Sequence, residues 1–320
     1  MKNKLPALKI NEKKDLRKKI KRMYSANTLT LKNMNMFKKT SFTLALFTLI
    51  LTASENNSPA LINILKTKKE HSLGCIFSYY SYTEPNLMNK RGGLLGMDYN
   101  FKQPFSNGLF FMLQTKITTF LTNYSSKNTG SSKNNRGQYI KIKPCLGTDF
   151  YLNDKNVIAP YIGIGFRYLI SHENDNLTTT GHRSYFRTNK LLFIPIGVMH
   201  RFKVDATSYI ETTIEGSYVI LGRQFSKTKG FFSHRTNGVS FYDTKNLYNK
   251  QNKGYGYKFS MEYNQEKWAV GPYFSYWHID KSDTVGIPTQ TKQGNIGQEM
   301  RYSEPKNNTI ETGITLRYKL

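Results

Sequence analysis

From residue 73 onward the chain repeatedly sets apolar against polar side chains with a period of two, over stretches of about ten residues. Successive side chains of an extended strand point to opposite faces, so this pattern specifies strands with one apolar and one polar face. Segments of strand composition occur at 73–82, 91–101, 109–121, 138–151, 157–169, 190–203, 206–221, 254–264, 268–280 and 309–320. In 138–151, Ile140, Ile142, Leu146 and Phe150 share one face while Lys141, Lys143 and Asp149 share the other. In 157–169, Ile162, Ile164, Phe166 and Tyr168 oppose Gly163, Gly165 and Arg167. Ile210, Ile214 and Tyr218 oppose Glu211 and Glu215, and Tyr257, Phe259 and Met261 oppose Lys258 and Glu262.

Alternation alone also suits a soluble sandwich with one wet face, and the connections separate the two cases. Short links (102–108, 152–156, 204–205 and 265–267) alternate with long polar ones, among them 122–137, 170–189, 222–253 and 281–308. A compact soluble domain rarely holds several structureless loops above about 12–15 residues. A membrane-spanning antiparallel barrel has short turns at one end and long loops at the other. The expectation is therefore an all-β, up-and-down transmembrane β-barrel of ten strands with both ends on the periplasmic side. Eight or twelve strands are the alternatives, because 222–253 has room for a further hairpin. Aromatics near strand ends, including Tyr79, Tyr80, Phe110, Trp268, Tyr276 and Trp277, are expected to form interfacial girdles.

Composition excludes other classes. No apolar run approaches the ~20 residues of a membrane helix, and two cysteines, Cys75 and Cys145, exclude a disulfide scaffold. The 22 Tyr and 20 Phe are far more than a solvated disordered chain carries. The net charge is +26, and residues 1–40 hold 13 Lys/Arg against Glu12 and Asp15, which places +11 there. That run lacks interleaved aromatics, so nucleic acid is not expected as a partner. Next comes MFKKTSFTLALFTLILTAS, with a basic start at Lys38 and Lys39, an apolar stretch from Phe42 to Leu51 and small residues Thr52, Ala53 and Ser54. That order reads as a secretory signal peptide. The expected organisation is a basic extension at 1–35, a signal peptide at 36–54, a linker at 55–70 and the barrel at 71–320. A start at Met34 or Met36 is the simplest account of the extension; a basic segment with its own role is the other.

Small barrels are filled by side chains. Lys141, Lys143, Asp149, Arg167, Glu211, Glu215, Lys258 and Glu262 are expected to line the lumen and to pair there, which leaves a plug or a narrow channel. Arg223, Lys227, Lys229, Arg235, Lys245, Lys250 and Lys253 face only Asp243 in the 222–253 stretch. They are expected on an external loop, where they suit lipopolysaccharide phosphates. The expectation includes no enzymatic activity, no cofactor and no Cys/His metal spacing. The alternatives are an omptin-like protease or lipid A hydrolase, or an adhesin acting through the basic loops. Asp-x-His, the element that omptin proteases rely on, is absent; His278-Ile279-Asp280 reverses it. His172, His182, His200 and His234 are without a spacing that assigns any of them to a serine nucleophile.

The chain closes on TIETGITLRYKL, in which Glu311, Gly313, Leu316 and Tyr318 follow the assembly signal of bacterial outer-membrane barrels. Leu320 departs from that signal, which usually ends in an aromatic residue. Together with APYIGIGFRYL at 159–169, FIPIGVMHRF at 193–202, GYGYKFSMEY at 254–263 and WAVGPYFSYWHID at 268–280, this ordered set resembles the poorly characterised opacity-like, porin-like outer membrane beta-barrel proteins of proteobacteria. The resemblance covers about 73–320. It implies an integral outer-membrane protein of a Gram-negative cell, with lipid, lipopolysaccharide and the barrel assembly machinery as partners. No reaction and no surface ligand follow from it.

Overall fold

The computed structural model describes residues 64–172, 177–230 and 233–320. Ten antiparallel strands form the barrel: β1 (Glu70–Glu84), β2 (Met88–Pro104), β3 (Leu109–Ser126), β4 (Gly130–Thr148), β5 (Asn156–Gly163 and Gly165–His172), β6 (Arg187–Lys203), β7 (Tyr209–Ser226), β8 (Gly254–Asn264), β9 (Trp268–Ile279) and β10 (Asn307–Lys319). Each pairs with its neighbours in sequence, and β10 pairs with β1 from Ser72↔Lys319 to Thr83↔Asn308, which closes the sheet. Closure removes both edges, so every strand has a partner on each side. The basic extension at 1–35 and the signal peptide at 36–54 lie outside the described residues, as does most of the 55–70 linker.

Polarity is inverted relative to a water-soluble core. Phe77, Leu95, Ile117, Leu146, Ile214, Tyr257 and Ile314 point outward and are each more than half exposed, while Lys143, Arg201, Glu215 and Glu311 are nearly or wholly buried inside. In β10, Thr309, Glu311 and Thr315 face in while Ile314, Leu316 and Tyr318 face out. Leu320 continues the outward stripe just past the strand. Gly313 faces in at a seam with no room for a side chain, since a Cβ there would lie 2.2 Å from the Phe77 carbonyl oxygen.

Local chemistry explains the irregularities. β5 is interrupted at Ile164 because both neighbours present proline: Pro144 accepts from the Ile164 N–H (3.1 Å) but has none to return, and Pro195 falls opposite Gly163. The β2–β3 turn uses left-handed backbone at Asn107 (φ 61°) and Gly108 (φ 74°). Between β6 and β7, the Asp205 carboxylate accepts from the Ser208 hydroxyl (2.6 Å) and from the Thr207 and Ser208 N–H groups. These bonds, that from the Ser208 hydroxyl first, hold its carboxyl down at about 2. Their contribution is thus complete above the ordinary carboxylate range and disappears only as the pH falls through about 2.

Three expectations change. The 122–137 link is not a loop: β3 and β4 run on to a turn at 127–129, with a bulge between Thr122 and Tyr124. Both faces of that extension carry polar side chains, buried Thr122 and Asn135 inside and exposed Asn123 and Ser125 outside, so no apolar–polar alternation marked it in the sequence. Residues 206–208 belong to the Asp205 turn, and β7 begins at Tyr209. Finally, 222–253 does hold a hairpin, Ser233–Thr236 with Val239–Asp243. It joins Thr289–Gln290 in a separate three-stranded sheet and leaves the barrel at ten strands.

Depth along β10 provides a test. Ile314 lies near the middle of the strand, and Tyr318 near its end, opposite Trp268. Ile314→Lys should cost roughly 2–4 kcal/mol in bilayers and Tyr318→Lys about 0–1 kcal/mol, because the penalty for a lipid-facing cation falls towards the interface. Urea unfolding of the refolded protein in vesicles measures both; equal costs would contradict the outward belt.

Candidate functional site

The inward residues of the ten strands meet in a lumen filled by three tiers of interactions. At the end that holds the turns and the C-terminus, Arg201 donates to Asp149 (3.0 Å), to Glu211 (3.1 Å) and to the Leu65 carbonyl (2.8 Å). Asp149 sits in the break after β4 and accepts from the Thr67 N–H (2.7 Å) and hydroxyl (3.0 Å). These bonds tuck segment 64–67 into the mouth of the barrel, where Leu65 packs fully buried on Val157. Lys102 adds a second cation to Glu211 at 3.3 Å.

The middle tier is a set of paired charges. Lys143 meets Glu215 at 2.5 Å, and Glu215 also accepts from the Tyr161 hydroxyl (2.8 Å). Lys116 meets Glu311 at 2.7 Å, and the Tyr139 hydroxyl donates to both oxygens of that carboxylate. Arg317 bridges Asp98 (2.7 Å) and Glu262. Lys141 and Lys258 line the same space and have no carboxylate within 4.0 Å among the described residues.

Aromatic rings fill the lumen on both sides of this tier, Phe110 and Tyr161 on the turn side and Phe120, Phe193 and Trp277 on the loop side. Phe110, Phe120, Tyr161, Phe193 and Trp277 lie in register opposite Gly147, Gly137, Gly197, Gly165 and Gly256. A Cβ at any of these glycines would meet the facing ring within 3.0 Å, so each ring folds over the space a side chain would otherwise occupy. Tyr80, Phe110 and Trp277, expected in the interfacial girdle, are thus lumen residues buried to 5% exposure or less, whereas Tyr79 and Trp268 do face outward. Arg167 lies 5.5 Å from the Tyr139 ring and 5.7 Å from that of Trp277. At the loop end Arg187 reaches Glu84 (3.5 Å) and Glu304 (3.7 Å). Between the tiers the lumen keeps two cavities of about 50 Å³ each.

Of the charges expected in the lumen, Lys141, Lys143, Asp149, Arg167, Glu211, Glu215, Lys258 and Glu262, all lie on inward positions. Their partners Asp98, Lys116, Arg201, Arg317 and Tyr139 were missed, although Asp98 and Arg317 each sit between outward apolar residues. Glu311, read as part of the assembly signal, also anchors the middle tier. The basic residues Arg223, Lys227, Lys229, Arg235, Lys245, Lys250 and Lys253 are all exposed at the loop end. Arg223 stands in register with Lys190 on one side and Lys250 on the other, which puts three cations side by side.

His278 is held between Asp280 (3.1 Å) and Asn308 (2.7 Å). His172, His182 and His200 bond to Gln138, Thr180 and Asn156, and none of the three bonds a serine hydroxyl. Cys75 and Cys145 are free thiols, and the described residues include no group of His, Cys, Asp and Glu suited to a metal ion.

No family model and no curated protein matches the chain. Among solved structures it is similar to the outer membrane protease OmpT from Escherichia coli, with 8% identity and a TM-score of 0.49, covering 83% of this chain and 100% of that one. It is also similar to the translocator domain of the autotransporter NalP from Neisseria meningitidis (8% identity, TM-score 0.34, covering 89% and 98%). A third is the P. putida toluene transporter TodX (8% identity, TM-score 0.30, covering 82% and 93%). At these scores the likenesses lend no role to any residue here.

The Lys143–Glu215 pair tests the tiered lumen, since both side chains are at most 5% exposed. Lys143→Met should cost roughly 3–5 kcal/mol by stranding a buried carboxylate. Lys143→Met with Glu215→Met should cost less than the sum of the two single changes. Urea midpoints of the four proteins close the cycle, and additive costs would show that the pair is not coupled.

Proposed function

We propose that the protein is an integral outer-membrane β-barrel whose filled lumen excludes general diffusion and whose exposed basic surface binds anionic glycolipid. The single observation that carries this is the inverted polarity: an apolar belt outside a closed ladder, and ion pairs within. Water offers no reason for a chain to expose Phe77, Ile117, Leu146, Ile214 and Ile314 on one continuous surface. A lipid bilayer does, and bacterial outer membranes are where antiparallel barrels of this kind reside.

The terminal end, with its short turns, then faces the periplasm, and the long loops face outward. The exposed cations Lys190, Arg223 and Lys250 come to lie above the belt, at the level of lipopolysaccharide phosphates, where charge-assisted hydrogen bonds are strong. Lipid, lipopolysaccharide and, during insertion, the barrel assembly machinery acting on the last strand are the partners in this reading. Kinship with the opacity-like barrels belongs to it as well and is supported by the ordered motifs. No catalysis is assigned in this reading: His71, His172, His182, His200 and His278 bond to Tyr99, Gln138, Thr180, Asn156 and the Asp280–Asn308 pair, and none of these five to a serine or cysteine. A narrow channel is the second reading, favoured by the two small lumen cavities.

Single-channel recording in planar bilayers tests the reading. The refolded protein should insert and give no steps, or steps far below those of an open porin. Steps of a few hundred picosiemens would overturn the filled lumen.

A further inference from the structure

The middle tier has more cations than its carboxylates can pair. Four acids lie there, and each is engaged: Glu311 by Lys116 and Tyr139, Glu215 by Lys143 and Tyr161, and Asp98 and Glu262 together by Arg317. Lys141 and Lys258 are left over. Both line the cavity of about 50 Å³ in the centre of the lumen. A buried ammonium with no carboxylate in direct contact is costly, and here there are two.

A second observation at the same cavity points the same way. Asn100 lines it, is 8% exposed, and its amide nitrogen has no hydrogen-bond partner among the described residues. Such groups are rare in native proteins and normally mark a missing partner. The unmatched groups at this spot are therefore two cations and an N–H donor. All three seek an acceptor, and an anion answers all three. The space suits a small one, since a single water needs about 10–15 Å³ by the same measure.

We propose that the cavity bounded by Asn100, Lys141 and Lys258 is a binding site for a halide-sized inorganic anion, which completes the charge balance of the lumen. The site sits between strands that are remote in sequence: Asn100 on β2, Lys141 on β4 and Lys258 on β8. Bound there, the anion accepts from the Asn100 amide and adds a negative charge to a cavity that both lysines line. The proposal rests on the filled lumen and not on the surrounding membrane, so it can fail while the proposed location stands.

The test uses bromide as the probe. Crystals of the refolded barrel soaked in sodium bromide should show an anomalous peak in contact with Asn100 Nδ2 and the two lysine Nζ atoms. In the double variant Lys141→Gln/Lys258→Gln that peak should vanish while bromide sites elsewhere remain. In detergent micelles at constant ionic strength, replacing gluconate by bromide should raise the unfolding midpoint of the wild-type protein and leave the double variant unmoved. Gluconate is too large for the cavity, and fixed ionic strength removes general screening. Lys258→Met alone provides the comparison if the double variant does not refold, and its bromide-induced rise should be smaller than that of wild type. An empty or water-filled cavity in the bromide-soaked wild type, or an equal midpoint rise in wild type and variant, would overturn the proposal.

Discussion

A charge placed inside a ten-stranded barrel must find its counter-charge across the lumen, because the wall around it gives access to neither bulk water nor a polar surface. Most of the interior follows from that requirement. Arg317 spans Asp98 and Glu262, Lys116 meets Glu311, and Arg201 joins Asp149 to Glu211. Apart from Arg201–Glu211 on adjacent strands, these pairs tie strands that are not neighbours, so they brace the barrel cross-section while the backbone ladder fixes its circumference. Losing one member strands the other in a buried site, which makes the network cooperative.

The aromatic filling obeys a related geometric rule. A narrow barrel has too little interior for a large side chain at every inward position, so large rings alternate with glycines on the facing strand. Phe120 over Gly137 and Phe193 over Gly165 illustrate the fit. The rings close the lumen where charges alone would leave water, and the paired charges keep it polar enough for the chain to insert with its apolar side out.

These two devices together occupy most of the lumen. Ion pairs and rings leave cavities of only about 50 Å³ between the ends of the barrel, with larger ones of about 380 and 330 Å³ at its turn and loop ends, and segment 64–67 packs into the turn-end mouth. The outer surface carries an apolar belt, with exposed cations such as Arg223, Lys227 and Lys250 at the loop end.

The period-two pattern determined a great deal by itself. It located ten strands, separated the inward charges Lys143, Glu215 and Glu262 from outward Ile142, Ile214 and Met261, and implied the inverted polarity. It could do so because a strand displays its two faces alternately whatever its neighbours are. Where both faces carry polar side chains, as in 122–137, the pattern disappears, and the sequence was silent about the strands there. Which charge meets which, which glycine receives which ring, and the fact that Lys141 and Lys258 go unpaired were decided only by the tertiary structure. Those facts depend on register and on closure around the barrel, which set distances between residues up to about two hundred positions apart, as Lys116 and Glu311 are, and no local spacing encodes them.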